Sequence, residues 1–159
     1  VRIAGELCVR RGKLVAGGRG EPVHAASFLN KRLIVMEGAL RCNPGEFRRI
    51  LIHELFHFSW RRLSNERRRE WETIINAEHQ MRARGELGWS AELRKLGLQA
   101  EDRSGRNRRW REYLAESFCD TAAYYFRRGT HEEHTLRERF RQKRERWFAE
   151  LLGGTAMPV

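Results

Sequence analysis

The chain has 159 residues, which suits one domain with a core of its own. Lysine plus arginine number 32 against 21 acidic residues, a formal charge of +11, so a nucleic-acid partner has to be weighed; no apolar run approaches the roughly 20 residues of a membrane span. The three cysteines, Cys8, Cys42 and Cys119, are odd in number and lack CxxC spacing, which argues against a disulfide framework or a cysteine-ligated zinc.

From the N-terminus, "VRIAGELCVRRGK" lacks a signal-peptide layout, and a reducing, cytoplasmic setting is expected. Residues 2 to 40 read as β. "ELCVRRGKLVA" has two short apolar runs about an Arg-Arg-Gly turn, and "HAASFL" and "RLIVME" read as strands joined by a tight turn at Asn30-Lys31. Residues 44 to 60 read as a helix: Asn43 can cap it, Pro44 suits its first position, and Phe47, Ile50, Leu51, Leu55 and Phe58 recur at helical spacing. A second helix is predicted over about 65 to 84, with Trp71, Ile74, Ile75 and Met81 as its stripe, and a short one over about 91 to 96. "LQAEDRSGRNRR" reads as a polar loop. A long helix over about 108 to 127 follows, then a last helix opened by a Thr130–Glu133 capping box and running to about 152, with a tail from 153 to 159. No internal repeat or linker divides the chain: one domain is expected, β-rich over 1–40 and helical over 43–152. The arginines are interleaved with glutamates, as in "NERRREWE", a pattern that favours a solvated, salt-bridged helix face over a dedicated phosphate-binding surface.

Within the apolar helix at 44–60 lie His53, Glu54 and His57. Two histidines four residues apart share one helix face and can reach one metal ion, while Glu54 lies about 100° round from His53. This H-E-x-x-H pattern carries two zinc ligands and a general base. Burying two imidazoles and a carboxylate without a metal or matched partners would be costly. A catalytic zinc needs a third protein ligand. The best source is "EYLAESFCDTAAYYF", where Glu116 and Asp120 share a face at i and i+4. Glu116 can supply an oxygen, and Asp120 can accept from the far nitrogen of a ligand histidine. Glu112, one turn earlier, competes; Glu116 is preferred because it alone has an aspartate four residues on. Cys119 reads as a small core residue.

HELFH followed by a helix bearing ESFCD resembles the gluzincin metallopeptidases, with their HExxH and later ExxxD. The resemblance implies a small α+β, zincin-like domain holding one Zn2+ through His53, His57 and Glu116, with Glu54 as general base and Asp120 behind a ligand histidine. "HAASFLNKRLIVMEG" is similar to the gluzincin edge strand, hairpin and adjoining strand, which implies that backbone groups of Ala26 and Ser27 pair with an extended peptide substrate. Residues 64 to 107 would then be a helical insertion between the metal-bearing helices. For the oxyanion-stabilising side chain, Tyr113, Tyr124 and His131 stand as candidates, each more readily explained by packing or surface. A metzincin reading fails, because Trp60 and Leu63 replace the required Gly and third His, whereas the ImmA/IrrE-like regulatory proteases also pair HExxH with a later Glu. The expected activity is zinc-dependent hydrolysis of peptide or protein substrates; the alternative is a basic nucleic-acid-binding protein with a structural or catalytically silent zinc.

Overall fold

A computed structural model describes residues 1–11, 13–17, 20–126 and 134–154. Its described strands are β1 (Arg2–Ala4), β2 (Leu7–Arg10), β3 (Lys13–Ala16), β4 (Glu21–Pro22), β5 (Ala25–Phe28) and β6 (Leu33–Glu37). The helices are α1 (Pro44–Arg62), α2 (Asn65–Gln80), α3 (Trp89–Leu96), α4 (Ala100–Ser104), α5 (Arg108–Phe126) and α6 (Glu138–Gly154). The fold is α+β: a small β-rich N-terminal part on a mostly helical body.

The strands form two three-stranded sheets. In one, ordered β1-β6-β5, β1 runs parallel and β5 antiparallel to β6. In the other, ordered β3-β2-β4, both outer strands run antiparallel to β2. The chain bends at Gly5-Glu6, which carries β2 out of the first sheet. The β5–β6 hairpin is closed by four residues, not two. A 3-10 turn over Leu29–Lys31 leads to Arg32 in the left-handed region at φ 48°, and Phe28 then faces Leu33.

Helix α1 begins as its residues dictate. The Asn43 side chain accepts from the Glu46 N–H at 3.1 Å, and Pro44 occupies the first turn, where no amide donor is needed. It is apolar around much of its circumference because it packs on two sides. Ile50 packs with Ile34, Met36 and Leu40 beneath the β1-β6-β5 sheet, with Phe47, Leu51, Leu55 and Phe58 against the same cluster. Phe56 packs into the larger helical core with Trp71, Phe118 and Phe148. Thus α1 is the middle layer, and α5, which carries Phe118, lies directly against it.

Helix α2 stops at Gln80, earlier than expected. Trp71, Ile74 and Ile75 are buried, but Met81 lies past the end and is half exposed. The polar stretch predicted as a loop contains α4: Gln99 and Asp102 form a reciprocal capping box, and Asp102 also accepts from the Asn107 side chain at 2.5 Å. The last helix starts at Glu138, not near 130. Thr135 and Leu136 precede the helix, and their amides donate to the Glu86 carbonyl at 3.0 and 3.2 Å. Gly85 permits this approach: it sits at φ +78°, and a Cβ there would come within 2.3 Å of the Thr135 backbone. Thr130 and Glu133, the predicted capping box, lie outside the described residues.

One buried ionic network ties the helical body together. Arg144 of α6, fully buried, is bidentate to Glu78 of α2 (3.0 and 2.6 Å) and donates to Glu86 (2.7 Å). Glu86 also accepts from the Tyr113 hydroxyl at 2.5 Å and from Lys95 of α3 at 3.1 Å. Burial opposes charge on Glu86, but Arg144 and Lys95 outweigh it and hold the carboxyl down at about 2. Among the described residues no helix is long and apolar enough to cross a membrane.

Candidate metal centre

The packing of α1 on α5 brings together residues that lie far apart in the chain. His53 Nε2 lies 3.2 Å from His57 Nε2 and 3.2 Å from Glu116 Oε2, and His57 Nε2 lies 3.7 Å from the same carboxylate oxygen. The imidazoles meet edge to face, with centroids 4.9 Å apart, so two ring nitrogens and one carboxylate oxygen converge on one point. This donor triangle matches a tetrahedral ion. Ligand atoms about 2.0–2.1 Å from zinc at tetrahedral angles are separated by about 3.3 Å, close to the observed edges.

The ring orientation of His53 is fixed from behind. Its Nδ1 donates to Asp120 Oδ1 at 2.7 Å, which turns Nε2 toward the cluster. Asp120 is itself held. Its Oδ2 accepts from the Ala91 amide, in the first turn of α3, at 2.8 Å. Gly88, the residue before α3, leaves the room this needs, because a Cβ there would lie 2.3 Å from Asp120 Cγ. Glycine is required for space alone: its backbone, at φ −169° and ψ 165°, is ordinary extended chain.

Charge is shared within the cluster. Burial disfavours a charged His53, but hydrogen bonds to Asp120 and Glu116 outweigh it and raise the ring to about 10. Burial pushes His57 the other way. Burial also opposes charge on Glu116, yet the two histidines hold its carboxyl below the usual range. The cluster therefore favours one positive charge at its centre, a place that a proton or a divalent cation can take.

Glu54, next along α1, is buried but accepts no hydrogen bond from any side chain or amide among the described residues. It lines a cleft of about 350 Å³ with His53, His24, Ala25, Trp89 and Leu93. The cleft runs between the strand segment at 21–25 and α3. Its α3 wall is apolar and open to solvent: Trp89 is 69% exposed and Leu93 49%.

His53, His57 and Glu116 meet, with Asp120 behind His53 and Glu54 on the cleft. The competing Glu112 points elsewhere, bonded to Arg108 and Arg94. Ala26 and Ser27 lie on β5, an edge strand of its sheet, one or two residues beyond the cleft wall. Tyr113 does not suit the oxyanion role: it is buried, and burial with the adjacent Glu86 carboxylate holds its hydroxyl firmly protonated and committed to Glu86. Tyr124 packs beside His134 and the satellite cluster of Ala83, Leu87, Leu136 and Phe140. His131 lies outside the described residues. Cys119 is fully buried, as a small core residue should be.

Three residues escaped the sequence reading. Gly88 and Ala91 act on Asp120 through space and backbone, and neither leaves a side-chain signature. His24 lines the cleft with its Nδ1 2.8 Å from Glu37 Oε2; only the β5–β6 register shows the two to be partners. Comparison with protein-family models, curated proteins and solved structures finds no match, so the site rests on its own geometry.

Proposed function

We propose that this protein is a zinc-dependent peptidase, with one Zn2+ held by His53, His57 and Glu116. The observation that carries the reading is the donor triangle, with edges of 3.2, 3.2 and 3.7 Å, next to a buried carboxylate that has no hydrogen-bond partner among the described residues and opens on a cleft. Structural zinc sites ordinarily close with four protein ligands and have no use for such a carboxylate. When bound, zinc supplies Lewis acidity: it polarises a carbonyl and makes water nucleophilic near neutral pH.

The remaining work falls to the chain. Glu54 takes the proton from the attacking water and delivers it to the departing amine, a role worth about 10²–10⁴ in rate. Asp120 keeps the His53 lone pair aimed at the ion. The edge of β5 at Ala26 and Ser27 hydrogen-bonds an extended peptide and lays it along the cleft. His24, its Nδ1 bonded to Glu37, lines the cleft beside Ala25. Trp89 and Leu93 contact an apolar side chain of the substrate.

The test uses zinc-loaded parent, Glu54→Gln and Glu116→Ala on a pooled fluorogenic peptide library, with zinc measured by elemental analysis. Expected are one zinc per chain in the parent and in Glu54→Gln, at least a 100-fold lower turnover in Glu54→Gln, and loss of both metal and turnover in Glu116→Ala. A Glu54→Gln protein that cleaves as fast as the parent would falsify the general-base role.

A further inference from the structure

Elsewhere on the helical body, a second concavity of about 390 Å³ lies where the end of α1 meets the first turns of α2 and α5. Its wall carries four guanidinium groups, Arg68, Arg69, Arg106 and Arg111, with the indole of Trp60 and a single carboxylate, Glu72. The size falls within the roughly 300–1,000 Å³ of small-ligand sites. We infer that this pocket binds a single-stranded nucleic acid, with phosphates on Arg68, Arg69 and Arg111 and a base against Trp60.

Some arginines are neutralised in pairs: Arg67 pairs with Glu70, Arg108 and Arg94 with Glu112, and Arg49 with Glu46. Others, such as the exposed Arg41 and Arg139, have no ion pair among the described residues. What sets the pocket apart is that several such arginines face one concavity. Its one acid is used up, because Glu72 accepts from Nε and Nη2 of Arg106 at 2.9 and 2.5 Å and from the Trp110 indole N–H at 2.9 Å. Among the described residues Arg68 reaches only the neutral Asn65 amide oxygen, at 3.1 Å. Arg69 and Arg111 have no acidic partner among the described residues. Three uncompensated cations facing one concavity repel one another, and a polyanion relieves that repulsion while the concave wall focuses its field.

Trp60 adds a second, independent observation. It is half-buried, its ring tilted against Phe118 at 5.1 Å between centroids, so its plane is held by the core. Unlike Trp71, Trp110 and Trp147, whose indole N–H groups each find an acceptor, Trp60 has none among the described residues. A fixed aromatic surface beside guanidinium groups is how proteins grip unpaired bases without reading sequence, at about 1–3 kcal/mol per stacked base. The overall charge of +11 favours a strand, which extends beyond the pocket, over a free mononucleotide. The assignment is independent of the peptidase reading, since none of these residues belongs to the metal cluster or its cleft.

The experiment is fluorescence anisotropy of a 5′-labelled dT12 oligonucleotide with the full chain at 50, 100 and 200 mM NaCl. Compared are the parent, Arg69→Glu/Arg111→Glu, Trp60→Leu, and a control double, Arg41→Glu/Arg139→Glu, with the same change in net charge at exposed positions outside the pocket. The pocket double should bind at least tenfold more weakly, the control less than threefold more weakly. Trp60→Leu should bind several-fold more weakly with an unchanged salt slope, since stacking displaces no counterions. Circular dichroism checks that each variant is folded; should the pocket double fail to fold, Arg69→Gln/Arg111→Gln takes its place under the same criterion. Equal losses in the two doubles, or no binding by the parent at 50 mM NaCl, would overturn the inference. So would displacement of the strand by dTMP at equal phosphate concentration, which would make the ligand a mononucleotide.

Discussion

Replacing Gly88 with alanine tests the support behind the metal cluster without touching a ligand. The added Cβ would lie 2.3 Å from Asp120 Cγ and 2.5 and 2.6 Å from its carboxylate oxygens. Carbon atoms normally approach no closer than about 3.5 Å, so the carboxylate has to retreat by about 1 Å. It cannot do so cheaply: the side chain is short, buried, and held at 2.7 Å by His53 and at 2.8 Å by the Ala91 amide. At least one of these bonds is lost. A hydrogen bond to a charged group contributes about 1.5–3 kcal/mol, and losing the partner behind a metal-ligating histidine typically weakens the metal about 10–100-fold. Alanine adopts the extended backbone of position 88 without strain, so the effect is steric alone. Zinc affinity by competition with a chromophoric chelator, alongside thermal melting, reads both consequences. Asp120→Ala should weaken zinc by a similar factor. If Gly88→Ala holds zinc as tightly as the parent and melts at the same temperature, then Asp120 is not seated as described and its role behind His53 is refuted.

Zinc stoichiometry should fall to near zero in Glu116→Ala and stay at one in Glu112→Ala, because Glu112 is tied to Arg94 and Arg108; metal loss only in the second would move the third ligand. Arg144→Met removes the cation shared by Glu78 and Glu86 and leaves the buried Glu78 without an ion-pair partner among the described residues, while Glu86 keeps Lys95; a loss of about 3–5 kcal/mol should appear as a melting temperature lower by at least about 6 °C. Glu86 sets an acid limit: a carboxyl held at about 2 in the folded protein instead of the usual 4.5 contributes roughly 3 kcal/mol at neutral pH. Because the folded value is depressed, that contribution is complete above about pH 4.5 and is lost as pH falls toward 2. Urea melts should therefore steepen in their pH dependence across that window for the parent and flatten in Glu86→Gln; identical slopes would remove Glu86 as the cause.

Much of α1 was readable from its residues because everything it needs is local. Asn43 and Pro44 start it, the 3.6-residue repeat places His53 and His57 on one face, and their burial in an apolar helix marks them as more than solvent-facing groups. The same periodicity put Glu116 and Asp120 together on α5. Where elements meet is another matter. The register between α1 and α5, set by core packing around Phe56 and Phe118, decided that Glu116 and not Glu112 joins the histidines. Asp120 is seated by Gly88 and Ala91, from a segment that read only as an insertion. Tyr113 was lost to the oxyanion role because Glu86, remote in the chain, claims its hydroxyl. The two-sheet arrangement, the non-helical approach of Thr135 and Leu136 to Glu86, and the Arg-rich pocket beside Trp60 likewise depend on contacts between distant segments. Helix periodicity and capping act over a few residues and leave their mark on the chain itself. Side-chain convergence across tens of residues is set by which faces the core forces together, and it becomes visible only once the chain is folded.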